Sequence, residues 1–366
     1  MTARIIAAKR SAVVPRGGAF AALTLDQLAA PVITAALTEM GITADQVDEV
    51  IVSNAIGGGG NPARLIALAA GLPESVAGLS IDRQCAGGLD ALLLAKAMIE
   101  SGAADIVVAG GVESYSRRPT RMKTFPDGRP DEPYDQPPFT PWPDRDPDMS
   151  EAADDLGKLY GITREAQDTW AISSHEKALA APPHPKEIVS IKNQDKDPFA
   201  RRMSGKLAQR AKVITGDITA ANTAVAADGA AFCIVVSERI SRELDFQGIA
   251  IWGGASKGDR PELPGIAPLA AIKAVQAQTG IKPQDINRAE IMEAFAVQAI
   301  ACVQSADIDP SIVNVGGGAL ARGHPIGASG AINAVRLFHE LKQTGGKGLA
   351  AIAAAGGIAT AVFLGA

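Results

Sequence analysis

The sequence predicts an α/β protein made of two similar halves, and three observations point to this fold class. Short apolar runs alternate with longer runs of helical periodicity along most of the 366 residues. Two pairs of segments resemble each other in residue type and spacing: residues 46–57 resemble 284–296, and residues 103–114 resemble 348–360. Within each half a helix with glycines at its start separates the two segments: Gly87 and Gly88 in the first half, Gly327 and Gly330 in the second. This repetition indicates a duplicated β-α-β unit.

The first half begins with a short strand and then alternates helix and strand. The periodic run LDQLAAPVITAALTEM predicts a helix over residues 25–40 that ends at Gly41. Apolar runs, glycine-rich loops and helix start signals predict the other early elements: a strand at residues 4–8, a strand at 47–54, a loop at 57–60, a helix at 61–70 and a strand at 76–81.

Cys85 stands where the strand at residues 76–81 leads into a helix at residues 89–100. This helix is apolar on almost every face, which is typical of a helix buried inside a large fold. A cysteine beside a helix N-terminus lies near unpaired N–H groups and the positive end of the helix dipole, and both favour a thiolate. From this segment alone two interpretations stay open, a nucleophile and a packed structural cysteine.

Composition changes after the strand at residues 106–109. Residues 115–148 are rich in proline and have little periodicity, and they are followed by helical runs at 151–160 and 163–181 and by a basic stretch at 201–212. A loop-rich insertion of this length inside a compact chain is usually functional, as a lid or a substrate platform. The alternative is a disordered linker, but Trp142 and Trp170 favour packed structure.

The second half contains a glycine-rich segment, NVGGGALARGHPIGASG, at residues 314–330. Its glycines allow the backbone to approach a ligand closely, and a helix is predicted over residues 332–341. His324 lies in this segment before Pro325, where it is either a functional imidazole or a histidine bonded to nearby backbone. If the repeat is real, Cys85 and His324 stand at equivalent helix starts, and a thiol beside an imidazole is the arrangement of an activated nucleophile.

The remaining elements of the second half follow from apolar runs: strands at residues 230–237, 249–253 and 289–292, and a helix at 268–279.

Charge and cysteine content exclude several classes of protein. A formal charge of −5 and a pI near 5.5 predict no general attraction to nucleic acid or to an anionic membrane. Three widely spaced cysteines argue against a disulfide framework, and no metal-site spacing of Cys or His is present. The sequence shows no signal peptide, membrane span or targeting signal, so a cytoplasmic protein is expected.

Ordered motifs along the whole chain resemble those of the thiolase family. They are NPAR from Asn61, CAGGLDAL from Cys85, ADIVVAGGVES ending at Ser114, YGITREAQD from Tyr160, TAAN and DGAA between Thr219 and Ala231, GIAPLAAI from Gly265, EAFA from Glu293, and GGALARGHPIGASGA from Gly317. The resemblance implies an α/β thiolase fold with five layers, αβαβα, built from two similar βαβαβαββ halves with an inserted loop domain.

The resemblance also implies how the chain divides and assembles. Residues 1–117 together with 216–246 would form the N-terminal half, residues 118–215 the loop domain, and residues 247–366 the C-terminal half. The expected assembly is a homodimer or homotetramer, with a partner subunit as a further option. The chemistry implied is acyl transfer from a coenzyme A thioester through an acyl-cysteine, with no permanently bound cofactor and no metal.

Site residues are carried over from the matching motifs. Cys85 would be the acylated nucleophile and His324 the base that activates it. Backbone at Ala355 and Gly356 would stabilise the oxyanion, provided that Ala355 can adopt the angles that glycine holds there. The expected substrate-binding positions are Met149, Ala224, Met292, Phe295 and Gly323. Basic residues of the loop domain, Arg201, Arg202 and Lys206, would meet the phosphates of coenzyme A, or else form a solvated surface.

The chain departs from the family's pattern at three places. The second catalytic cysteine of the family, which moves a proton at the α-carbon, is replaced by Ala353, and a methyl group cannot move a proton. The asparagine expected before EAFA is Met292, and loss of one such oxyanion partner typically costs ~3 kcal/mol. The usual Gly-Asn-Ala-Ser-Gly run is ANTAV at residues 221–225, which removes a hydroxyl and two glycines.

Three functional hypotheses follow. The first is an acyltransferase that passes the acyl group from Cys85 to an acceptor, which need not be a second acetyl-CoA. The second is an acyl-CoA thioesterase, in which water reaches the acyl-cysteine. The third is a non-catalytic protein that binds CoA thioesters or serves as a subunit of a larger complex.

Overall fold

The computed structural model describes residues 2–181 and 184–366. The strands are β1 (Arg4–Ser11), β2 (Val14–Pro15), β3 (Glu49–Ser53), β4 (Leu79–Ile81), β5 (Ile106–Ser114), β6 (Arg121–Lys123), β7 (Glu132–Tyr134), β8 (Ile188–Val189), β9 (Val213–Thr215), β10 (Ile218–Thr219), β11 (Ala227–Val236), β12 (Ile249–Gly258), β13 (Arg288–Ile291), β14 (Lys347–Ala354) and β15 (Ile358–Gly365). The α-helices are α1 (Leu25–Met40), α2 (Pro62–Ala69), α3 (Gly87–Ser101), α4 (Met149–Tyr160), α5 (Arg164–Ala180), α6 (Gly205–Gln209), α7 (Glu238–Glu243), α8 (Pro268–Thr279), α9 (Ala296–Ser305), α10 (Ala319–Arg322) and α11 (Ile326–Thr344).

The strands of both halves join along one hydrogen-bonded path, β13-β14-β15-β12-β1-β11-β5-β3-β4. β3 is parallel to β4 and β5, and β13 is parallel to β14, as expected for strands linked by crossover helices. The two halves meet where β1 pairs with β12 antiparallel, Arg4 opposite Ala250 and Ile5 opposite Ile249. The two halves of the predicted duplication therefore share one continuous strand path, joined at the β1–β12 pair.

The helices form three layers, and two sheet layers lie between them. α3 and α11 form the middle layer, where Leu92 and Val335 share one buried core with residues of β5, β11, β14 and β15. α1 and α2 cover the outer face of the first half, with Val32 and Ile66 in their core. α8 and α9 cover the outer face of the second half around Val275. This confirms the five-layered αβαβα fold.

The predicted elements agree well with the structure, and the differences have local causes. α3 starts at Gly87, two residues before the prediction, and α11 starts at Ile326, six residues before it. Both helices therefore include the glycines that the sequence places at their starts. α9 was not predicted, although its residues AVQAIACVQS form an apolar run of helical length.

The helices of the segment inserted after β5 are packed structure. α4 and α5 pack against α9, and Leu156 and Ile162 are buried with Val297 of that helix. The helical part of the insertion is therefore packed, and Trp170 contacts its core as expected, whereas Trp142 in the loop-rich part is 51% exposed. A role of this segment as a lid or substrate platform stays a prediction. Within the described residues, no helix combines the length and apolar character needed to cross a membrane.

Candidate active site

Cys85 and His324 meet at the centre of the molecule. Cys85 lies in the turn before α3, His324 lies in the turn before α11, and its Nε2 is 3.2 Å from the Sγ of Cys85. The predicted meeting of the two helix starts is thus observed. Cys233 and Cys302 are free but fully buried, whereas Cys85 is partly exposed to a cavity.

Glycines allow the two central helices to approach closely enough for this contact. A Cβ atom at Gly88 would lie 2.3 Å from the backbone nitrogen of Ala331, and one at Gly330 would lie 2.7 Å from that of Leu89. Real Cβ atoms do not come this close, so a side chain at either position would push α3 and α11 apart. The glycines near the helix starts therefore permit the close helix packing that accompanies the Cys85–His324 contact.

The turn that presents Cys85 is tight. Gln84 has a left-handed φ of 48°, a conformation that costs a non-glycine residue about 1–3 kcal/mol. Asp82 stabilises the turn, because its Oδ1 accepts a hydrogen bond from the backbone N–H of Gln84 at 2.8 Å. This strained turn directs the thiol of Cys85 into the cavity.

A short extended segment fixes the backbone of His324. Its N–H donates to the carbonyl of Val225 at 2.8 Å, and Ala224 in turn donates to the carbonyl of Ala294 at 2.9 Å. Gly323, just before the histidine, has a φ of 113°, and a Cβ there would lie 2.8 Å from the Cβ of Ala227. Gly323 is thus required for the path of the chain into His324.

The hydrogen bonds of Ser329 assign the tautomer of His324. The Ser329 hydroxyl donates to the carbonyl of Pro325 at 3.1 Å, which leaves its oxygen free to accept from Nδ1 of His324 at 2.6 Å. Nδ1 therefore carries the proton, and Nε2 presents its lone pair to Cys85. This is the orientation that a general base toward the thiol requires.

Burial keeps the pair neutral in the resting protein. Desolvation raises the pKa of Cys85 to about 12, although hydrogen bonding from its own backbone N–H lowers it, and the charges of Glu113 and Asp82 raise it further. Desolvation also lowers the pKa of His324 to about 4. The neutral thiol of Cys85 differs from the thiolate expected at a helix N-terminus. Desolvation of the thiolate outweighs its stabilisation by the N–H groups and dipole of the helix. Proton transfer must accompany attack on a substrate.

Glu113 connects residues 54–56 to the start of α11 through hydrogen bonds, and the sequence alone did not assign it a role. Its carboxyl accepts hydrogen bonds from Asn54 Nδ2 at 2.6 Å and from the backbone N–H groups of Gly327 at 3.0 Å, Ala55 at 3.1 Å and Ile56 at 3.4 Å. Burial raises the pKa of Glu113 to about 7, while the backbone N–H donors of Gly327, Ala55 and Ile56 lower it. Glu113 thereby ties β5 to the first turn of α11. Its place in the motif ADIVVAGGVES was the available signal.

Cys85 and His324 open into a cavity of about 450 Å³. One part of its lining is apolar, with Phe139, Met149, Leu156 and Phe295; Ala353, Ala354 and Ala355 also line it, and Arg16, Tyr115, Arg118, Arg121 and Tyr134 add polar surface. A larger and more open groove of about 780 Å³ beside Lys9 and Glu39 on α1 has no cysteine or histidine in its lining. The chemistry therefore belongs to the smaller cavity.

The structure places the predicted substrate residues in two groups. Met149, Ala224, Phe295 and Ala355 line the cavity with Cys85. Ala355 has no left-handed φ, so an alanine fits there without strain. Met292 is instead 1% exposed inside the central apolar core. Gly323 and Gly356 also lie outside the lining, and Gly356 has a φ of 80° against the carbonyl of Phe139.

The basic residues expected near coenzyme A are not brought to this cavity. Arg202 and Lys206 are exposed, and Arg201 stacks its guanidinium 4.3 Å from the ring centre of Phe199. Their contact with the phosphates of coenzyme A stays a prediction. Across residues 2–181 and 184–366, no group of three or more His, Cys, Asp or Glu side chains could hold a metal ion.

Comparison with known proteins gives consistent matches over the whole chain. Residues 3–239 match the family described as thiolase, N-terminal domain, and residues 249–366 match thiolase, C-terminal domain. An acetyl-CoA acetyltransferase of Cupriavidus necator is 39% identical over 393 residues, covering 98% of both chains.

Solved structures agree with the sequence matches. The acetyl-CoA acetyltransferase of Bacillus anthracis is 35% identical, with a TM-score of 0.91, covering 100% of this chain and 98% of that one. Human mitochondrial 3-ketoacyl-CoA thiolase in complex with CoA is 29% identical, with a TM-score of 0.92 and the same two coverages.

Proposed function

The chain belongs to the thiolase family and is a thiolase-like acyltransferase, and we propose that Cys85 carries the acyl group in its reaction. The observation that supports this role is the 3.2 Å contact between the Sγ of Cys85 and Nε2 of His324 inside the cavity. A coenzyme A thioester is the proposed acyl donor. The CoA present in the human thiolase structure supports this choice.

In the proposed loading step, Nε2 of His324 takes the proton of the Cys85 thiol as Sγ attacks the thioester carbonyl carbon. The C–S bond to coenzyme A then breaks, and the leaving thiolate takes the proton back from Nε2. The products are an acyl-Cys85 thioester and free coenzyme A. Ser329 stabilises the transient imidazolium through Nδ1. Backbone N–H groups of Cys85 and Ala355 are the proposed donors to the tetrahedral oxyanion, since both residues line the cavity.

The second half of the family's reaction is proposed to differ in this chain. Ala353 lines the same cavity as Cys85 and His324, and its methyl group cannot move a proton. Met292 is buried in the core and offers no polar atom for an oxyanion. We therefore propose that the chain lacks the family's second catalytic cysteine and passes the acyl group to an acceptor that needs no cysteine-made carbanion.

Intact-mass measurement after incubation with acetyl-CoA and longer acyl-CoAs tests the proposal. A mass increase of one acyl group that is absent in Cys85→Ala and retained in Cys302→Ala is expected. An unmodified Cys85 across the whole panel would contradict the proposal, and tight acyl-CoA binding without loading would identify a non-catalytic binding protein. Rapid release of coenzyme A with no acylated product would identify a thioesterase.

We also propose a homodimer or homotetramer, with a partner subunit as a further option. β4 lies at one end of the strand path, and Leu79 on it is 41% exposed. Leu65 and Leu68 of the neighbouring α2 are also exposed. Open strand edges with apolar neighbours favour pairing with another chain. Light scattering during size exclusion would give the mass, and a monomer at micromolar concentration would contradict the assembly.

Three free cysteines support a reducing location, and we propose the cytoplasm. The division into an N-terminal half, a loop domain and a C-terminal half at residues 117, 215 and 246 is likewise proposed from the motifs.

A further inference from the structure

Three arginines line the cavity that contains Cys85. Arg16 follows β2, Arg118 follows β5, and Arg121 begins β6. They come from segments about 100 residues apart in the chain. The fold therefore gathers separate positive charges beside the proposed nucleophile.

Two of these cations lie close together in the cavity that Cys85 and His324 also line. The guanidinium carbons of Arg118 and Arg16 are 4.7 Å and 5.5 Å from the ring centre of Tyr115, so they are no more than about 10 Å apart. The backbone N–H of Arg16 donates to the carbonyl of Ala226 at 2.9 Å, and Ala226 is the bridge partner of His324. The backbone of Arg16 thus lies beside the segment that positions the base.

The cations exceed the anions in the lining. Asp135 is the carboxylate there, and it pairs with Arg118 at 2.9 Å while 85% of its side chain is exposed, which makes the pair weak. Among the described residues, neither Arg16 nor Arg121 has a carboxylate within 4.0 Å, and Arg121 donates only to the carbonyl of Ala55 at 3.2 Å. The carboxyl of Glu113 is already occupied by N–H donors. The cavity therefore has an excess positive charge available for a ligand.

The rest of the lining suits a hydrocarbon chain. Phe139, Met149 and Phe295 provide apolar surface in the same cavity. An acyl group of methylenes would pack there without using the arginines, whereas an acyl group that ends in an anion would also pair with them.

We propose that the preferred acyl group is that of a dicarboxylic acid, with a free carboxylate held by Arg16, Arg118 and Arg121. The assignment rests on the proposed function, which places the thioester carbon at Cys85. The methylene chain lies against the apolar wall, and the distal carboxylate takes charge-assisted hydrogen bonds from the guanidinium groups. The same cations would also attract the phosphates of coenzyme A, so the two anions must be separated by experiment.

Binding to Cys85→Ala tests this independently of the chemistry, because the thioester stays intact. Calorimetry compares adipyl-CoA with hexanoyl-CoA, which has the same six carbons and no carboxylate. Adipyl-CoA is expected to bind about ten-fold more tightly, and Arg118→Gln or Arg121→Gln in this background should remove that preference. Arg117→Gln is the matched control, since Arg117 is exposed, adjacent to Arg118 and outside the lining.

Adipyl-pantetheine and hexanoyl-pantetheine, which lack the nucleotide phosphates, identify the anion. A preference that persists with these thioesters supports the carboxylate. Equal affinity for the six-carbon pair overturns the proposal, and so do arginine substitutions that weaken both CoA thioesters equally and leave both pantetheine thioesters unchanged. Retained hexanoyl-CoA binding shows that a variant is folded. Failure of acyl loading in the Cys85-containing protein would instead count against the proposed function.

Discussion

The Sγ of Cys85 lies 3.2 Å from Nε2 of His324, although 239 residues separate them in sequence. Each residue stands just before the central helix of its own half, so the repeat supplies one partner from each copy. The contact depends on helix-to-helix packing at Gly88 and Gly330. The proposed chemistry can therefore be tested from both partners and from the residues that orient them.

Replacing His324 should separate binding from chemistry. His324→Asn removes the lone pair at Nε2, and the rate of acyl-Cys85 formation should fall by roughly 10²–10⁴. The dissociation constant for hexanoyl-CoA should change only a few-fold, because the cavity wall is retained. Rapid-quench mass spectrometry gives the rate, with Arg117→Gln as the control. An unchanged loading rate would remove His324 from its proposed role.

Ser329 should act on the rate through the orientation of His324. Ser329→Ala removes the acceptor 2.6 Å from Nδ1, which leaves that N–H unpaired and the ring free to turn. Loading should slow by roughly ten-fold while hexanoyl-CoA affinity stays within two-fold of wild type. The loading rate of Ser329→Cys, which keeps a weak acceptor, should lie between those of the wild type and Ser329→Ala. A loss of affinity parallel to the loss of rate would point to a purely structural role.

The pH dependence of alkylation should report the neutral state of the pair. Because the pKa of Cys85 is about 12 and that of His324 is about 4, the thiol and the imidazole are both neutral from about pH 4 upward to about pH 12. Alkylation of Cys85 by iodoacetamide should keep rising from pH 6 to pH 9 as the small thiolate fraction grows. A rate that is already constant by pH 7 would show a preformed thiolate–imidazolium pair.

A thiol introduced at Ala353 should add proton transfer to the cavity. Ala353→Cys places a titratable group in the lining shared by Cys85 and His324, and acetoacetyl-CoA cleavage should increase by at least ten-fold over wild type. Ala353→Ser, which is similar in size and has a far weaker acid, should not gain activity. Efficient cleavage by the wild-type protein would show that another group already moves the proton.

Glu113 should contribute to stability in a pH-dependent way. Glu113→Gln turns an amide N–H toward N–H donors and should lower the free energy of unfolding by about 1–3 kcal/mol. The pKa of Glu113 is about 7 when folded and 4.5 ordinarily, so the folded state binds this proton more tightly. Wild-type stability relative to the variant should then decrease as the pH rises from about 4.5 through 7.

Urea unfolding of both proteins at pH 5 and pH 8 measures this difference. Glu176→Gln, at an exposed position of α5, should change little at either pH. A larger penalty for Glu113→Gln at pH 8 than at pH 5 would contradict the raised pKa.

The sequence was sufficient to place Cys85 and His324, because each lies at a helix start marked by glycines and apolar periodicity. These signals depend only on the local sequence, and the internal repeat predicted that the two helix starts would meet. The charge states of Cys85 and His324 could not be predicted from the sequence, since they depend on desolvation by residues from both halves. The thiolate expected from a helix N-terminus is accordingly a neutral thiol.

The arginines in the cavity could not be found from the sequence. Arg16, Arg118 and Arg121 stand in loops and a short hairpin with no common motif. Only the tertiary fold brings all three to one cavity, with Arg16 and Arg118 over the ring of Tyr115. The basic cluster that the sequence did display, around Arg201, lies outside the cavity. A cluster of basic residues in the sequence therefore did not identify the basic residues that share the cavity.

The long separation of Cys85 from His324 also has a consequence for synthesis. A ribosome that adds roughly 5–20 residues per second needs about 10–50 s to travel from the cysteine codon to the histidine codon. During that interval the nascent chain carries an ordinary thiol with no base beside it. The proposed acyl uptake becomes possible only after α11 has emerged, and the strands β14 and β15 that follow it then pair with β13 and β12.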